Sequence, residues 1–122
     1  MRYSGNGMPL VFVIATDWKL RAAVRAELRE RGIDALGMDT ADDAGRALAR
    51  GEVPTVIVLE ASVELAGNLA MQKLVERAPT VLVASRTETV PLPRVAAVFY
   101  RPVRIGEIIA KVVELLARGE VA

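Results

Sequence analysis

The 122-residue chain contains neither cysteine nor histidine. Their joint absence removes disulfides, the usual zinc sites, thiol nucleophiles and the commonest general base. No Gly-x-Gly-x-x-Gly loop or Walker loop is present, and no nucleophile stands beside a base, so enzyme chemistry has little to work with. Long apolar runs are missing too. Strongly apolar runs such as Val56 to Leu59 and Val112-Val113 with Leu115-Leu116 fall far short of the roughly 20 residues that span a bilayer. Charge of one sign is also absent: sixteen basic residues against fifteen acidic ones leave +1, so no global field draws in nucleic acid or an anionic membrane. Met1-Arg2-Tyr3-Ser4-Gly5-Asn6-Gly7 is polar and glycine-containing, unlike a secretory signal. Residues 1–8 read as a flexible tail and 9–119 as one cytoplasmic domain.

What is present is a 52% hydrophobic composition, ample for one core, arranged as alternating strand and helix patterns. Val11 to Ile14 is apolar on both faces, as a central parallel strand requires. Asp17 is placed to cap a helix carrying Leu20, Val24 and Leu28, which Gly32 ends. Ile33 to Met38 is a weaker strand, and Thr40-Ala41-Asp42-Asp43 resembles an acidic capping box opening a helix that closes at Gly51. Pro54 to Leu59 is the third strand, with a helix predicted from near Ser62 through Leu65, Leu69, Leu74 and Val75. Val81 to Val83 is the fourth strand. Arg86 to Arg94, with Pro91 and Pro93, lacks helical spacing and predicts an irregular loop or a single turn. Val95 to Tyr100 is the last strand, and Ile105 to Gly119 the last helix.

Three stretches carry a resemblance: Val11 to Asp17, Pro54 to Leu59 ending in Glu60, and Arg101-Pro102-Val103 before the last helix. Together they resemble the signature regions of response-regulator receiver domains, over about Leu10 to Arg118. The resemblance implies a doubly wound parallel sheet of order 2-1-3-4-5 with functional groups at the carboxyl ends of the strands. Receivers use an acidic pair to hold magnesium, an aspartate as phosphoacceptor, a hydroxyl, and a lysine before a proline. Here the acidic pair falls on Ala15 and Thr16, with Asp17 adjacent. The phosphoacceptor place falls on Glu60, the hydroxyl place on Ala84 beside Ser85, the lysine place on Arg101, and the switching aromatic on Val98.

These replacements imply a degenerate site. Without the carboxylate pair a magnesium site is not expected, and phosphoryl transfer loses its main electrostatic stabiliser. Glu60 reads either as a fixed mimic of the activated state or as a strand-end residue with no signalling task, the simpler view; in both, contact with Arg101 is expected, a guanidinium suiting bidentate carboxylate binding. Asp17 is sufficiently explained as a helix cap, and Ser85 as the start of a loop. Trp18, the sole tryptophan, either caps the cleft or, as is commoner, shields apolar core surface. Thirteen arginines to three lysines, scattered among acids, form a solvated surface rather than a nucleic-acid patch.

With residues placed at about 100° each, the apolar side of the last helix spans about 160°, wider than the roughly 100° a single packed side needs. Ile109 and Val113 are thus expected on a flank which, with Tyr100 of the fifth strand, contacts a protein partner or a second copy. An alternative is that they merely cover that strand's edge. The functional expectation is a phosphorylation-independent receiver-like signalling module acting through protein contacts, with no cofactor and no enzymatic activity. One alternative is an active single-domain response regulator of a two-component system; another is a flavodoxin-like small-molecule-binding domain, warranted by fold alone.

Overall fold

Runs of β-branched and leucine residues, each closed by a polar or glycine-containing turn, give five parallel strands in the computed structural model, which describes residues 8–89, 92 and 94–121, with side chains described only as far as 119. In chain order the elements are β1 (Leu10–Ile14), α1 (Trp18–Glu30), β2 (Asp34–Met38), α2 (Ala41–Ala49), β3 (Val56–Glu60), α3 (Leu69–Arg77), β4 (Thr80–Ala84), β5 (Ala97–Tyr100) and α4 (Ile105–Val121). The sheet order is β2-β1-β3-β4-β5, the doubly wound arrangement expected from the sequence. Ile14 lies opposite Leu59 and Glu60 opposite Val83. That register brings the carboxyl ends of the central strands to one edge.

Alternation along each strand splits the core in two. Val11, Val13, Val58, Val81 and Val83 face α1 and α4, while Phe12, Ile14, Ile57, Leu59 and Leu82 face α2 and α3. The central strands are buried on both faces, which is why they read as continuous apolar runs. Each such large side chain contributes roughly 1.5–3 kcal/mol through burial. Helix boundaries follow local chemistry. Asp17 caps α1 by accepting from the Lys19 and Leu20 amides, and Gly32 at φ +73° takes the left-handed turn that ends it. Thr40 caps α2 by accepting from the Asp43 amide.

Several expectations need correcting. α3 starts at Leu69, not near Ser62, because Gly67 adopts φ +79° and Asn68 supplies the cap to the Met71 amide. Leu65 is buried from a turn rather than from a helix, and Leu69 is 63% exposed. α4 runs past Gly119 to Val121. Ile109 is no flank residue: it is fully buried, at 0% exposure, in the cluster with Val11, Val83 and Leu28. The wide apolar arc of α4 exists because this helix packs against both the sheet and α1. Val113 is half-buried against the same cluster, and Tyr100 is 39% exposed. Between β4 and β5 no helix forms among the described residues, as the sequence predicts; Pro91, Pro93 and the tail residues 1–7 lie outside those described.

Candidate functional site

Parallel pairing of β1 with β3 sets the Ala15-Thr16-Asp17 turn directly beside Glu60, and the site is built on that adjacency. Glu60 is only 7% exposed. Its Oε1 accepts the Thr16 amide at 2.7 Å, the Thr16 hydroxyl at 2.7 Å and the Asp17 amide at 3.1 Å. Its Oε2 accepts the Arg101 Nη2 at 2.5 Å. Four donors therefore meet one carboxylate, two of them backbone amides of the turn leading into α1.

Arg101 follows β5, one strand beyond β4, and its backbone amide donates to the Ala84 carbonyl at 2.8 Å. Ala84 is fully buried. Carrying only a methyl group, it leaves the route across β4 open for the guanidinium. The expected Glu60–Arg101 contact is present, and Arg101 also reaches Asp17 Oδ2 with its Nη1 at 3.4 Å. Asp17 thus serves two purposes, capping α1 with Oδ1 and pairing with Oδ2. The Arg101–Pro102 peptide bond is cis.

The electrostatics follow from these contacts. Burial pushes the Glu60 carboxyl up, but the Thr16 hydroxyl, the Asp17 and Thr16 amides and the Arg101 guanidinium outweigh it and hold the pKa below its ordinary value. Asp17 is also held low, chiefly by the Leu20 amide; slight desolvation opposes this, and the Lys19 amide and Arg101 reinforce it. Both are anions near neutrality, sharing one cation.

Other predicted site residues fall outside this cluster. The Ser85 hydroxyl bonds to Thr87 at 3.1 Å, and the Ser85 amide donates to Glu88 at 2.7 Å, so Ser85 builds its own turn. Val98 packs partly buried on the α2–α3 side of the sheet. Trp18 does not shield the core: it is 64% exposed, with Lys19 Nζ 6.0 Å from its ring centre. Two residues were not anticipated. Ser62 lies 3.2 Å from the Thr16 hydroxyl, a contact that its position two residues after Glu60 makes readable in retrospect. Arg21 donates to the Ala15 carbonyl at 2.6 Å and braces the turn; its place one helical turn after Asp17 was the available signal.

Magnesium does not fit these residues. Ala15 offers no side-chain ligand and Thr16 a neutral hydroxyl already bonded to Glu60, while Arg101 puts a fixed positive charge against the remaining carboxylate oxygen. Among the described residues no group of three or more carboxylates could hold a metal ion. Phosphoryl acceptance by Glu60 would require an oxygen already engaged by Thr16 and Asp17 or by Arg101.

No family model matches the chain, and no curated protein matches it in sequence. Solved structures do match in shape. A response regulator receiver protein from Burkholderia phymatum shares 19% identity at TM-score 0.71, over 89% of this chain and 95% of that one. One from Pseudomonas putida shares 21% at TM-score 0.68, over 88% and 97%. The signal receiver domain of an HD domain-containing protein from Pseudomonas fluorescens Pf-5 shares 10% at TM-score 0.76, over 94% and 99%. The fold is therefore that of a response-regulator receiver domain, flavodoxin-like in topology. No helix among the described residues is long and apolar enough to cross a membrane.

Proposed function

We propose that the chain is a receiver-like signalling module whose state is not set by phosphorylation and which works through protein contacts rather than as an enzyme. The observation that carries this reading is the saturation of Glu60: both carboxylate oxygens are occupied by Thr16, Asp17 and Arg101 of the same chain. A site built this way is already closed by its own charges and has no open position for an ion or a phosphoryl group. The surface proposed for contact is the outer edge of β5, which among the described residues pairs only with β4, together with Tyr100 and the half-buried Val113 of α4. Ile109 supports that surface from inside.

Intact-mass spectrometry after incubation with acetyl phosphate and magnesium tests the first half. No adduct is expected; a magnesium-dependent phosphate on Glu60 overturns the reading in favour of an active regulator. For the contact surface, sedimentation of wild type and Val113→Glu at matched concentrations is the test. Association that is lost in a folded variant supports the surface, and a wild type that stays monomeric rules out self-association through it.

A further inference from the structure

At the end of the sheet opposite Glu60, where the strands begin, lies a groove with a volume of about 940 Å³. Pro54 and Thr55 precede β3, Pro79 precedes β4, and Ala96 precedes β5; Leu74 of α3 and Leu115 of α4 form the walls. The floor offers almost nothing polar. Two of its residues are prolines, with no amide hydrogen, and the neighbouring amides of Thr55, Ile57 and Ala96 already donate to Leu10, Pro79 and Thr80. The rim is cationic, with Lys73 and Arg77 on one side and Arg118 on the other, and no acid whose side chain is described lines it.

Helix dipoles account for Arg77 and Arg118, each in the last turn of its helix, but not for Lys73. Lys73 and Arg77 stand at i and i+4 on α3, a like-charge spacing that disfavours the helix, and among the described residues neither has an ion-pair partner. Among the described residues Arg118 is paired only with Glu114, at 3.3 Å on the open surface. An apolar trough of small-ligand size with unneutralised positive charge at its mouth complements one chemistry, a hydrocarbon chain ending in an anion.

We infer that this groove binds the monomer of a long-chain carboxylate, its chain lying on Pro54, Pro79, Leu74 and Leu115 and its head group between Lys73 and Arg77. Such binding is independent of the Glu60 network and leaves that network intact.

The test is an amide-resolved NMR titration of the whole chain with dodecanoate below its micelle concentration. Saturable shifts at Leu74, Ala78, Ala96 and Leu115, with Thr16 and Glu60 unmoved, are expected. The Lys73→Gln, Arg77→Gln double variant, whose own spectrum reports that it is folded, weakens binding by about tenfold. Dodecyltrimethylammonium, with a chain of the same length and the opposite charge, and acetate, with the head group alone, should not bind. Equal binding by the cationic amphiphile, an unchanged affinity in the double variant, or no saturable shift overturns the inference. A response to phosphatidylglycerol vesicles but not to dodecanoate overturns it in favour of a membrane surface. A response to an acidic amphipathic peptide alone overturns it in favour of a protein partner.

Discussion

The two ends of the sheet handle charge in opposite ways. At the carboxyl end, a nearly buried carboxylate meets four donors, one of them a guanidinium shared with Asp17, so each charge of that cluster has a partner. At the amino end, apolar surface stays open and Lys73 and Arg77 stand unpaired among the described residues. Receivers concentrate their chemistry at the carboxyl end. In this chain the Glu60 oxygens at that end are engaged by neighbouring groups of the same chain, and the unpaired cations of the groove lie at the other.

The contrast can be broken most severely at Arg101. Arg101→Met should lower stability by about 2–3 kcal/mol in urea unfolding, because it leaves Glu60 with less compensation in a desolvated place. Adding Glu60→Leu should recover most of that loss, since replacing both partners by apolar groups leaves no charge stranded. A double variant no better than Arg101→Met would mean that the guanidinium matters for packing rather than for charge.

Acid sharpens the same point. The Glu60 pKa lies below its ordinary 4.5, so the unfolded chain takes up the proton first as pH falls. The stability this carboxylate supplies is complete above that ordinary value and is lost progressively as pH falls through the lower, folded-state pKa. Thermal unfolding followed from pH 7 to pH 3 should show this loss in wild type and a smaller one in the Glu60→Leu, Arg101→Met variant. Next in size, Thr16→Val removes one hydroxyl donor while keeping both amides and should cost about 1 kcal/mol. Smallest is the amino end: Lys73→Gln should change stability by at most about 0.5 kcal/mol, and upward if at all, because it relieves a like-charge pair. A clear destabilisation there would show that the cation has a structural partner and that the two ends are not so different.

How much of this was legible in the sequence depended on whether one local rule decided the outcome. β1, β3 and β4 were readable because burial on both faces forces uninterrupted apolar runs. The Glu60–Arg101 pair was readable because strand order fixes which loops share an edge. α3 was misplaced because Leu65 and Leu69 mimic helical spacing, while the deciding signal was the conformational freedom of Gly67. Ile109 was misplaced because a helical wheel shows the width of an apolar arc but not how many neighbours fill it; here α1 takes the second share. Trp18 was misjudged because its position on the first turn of α1 does not set which way the ring faces.

The bare stretch between β4 and β5 has a consequence for how the molecule opens. β4 is buried along its whole length, whereas β5 is half-exposed, pairs on one side only and has no helix next to it in sequence on its α2–α3 face among the described residues. Its amides should therefore exchange with solvent through local opening well before those of β1 or β3. Arg101 is the residue immediately after that strand, so each excursion of β5 carries the guanidinium away from Glu60. The ion pair is in this sense a clasp, fastened at the fraying margin of the sheet and holding an edge strand against a central one.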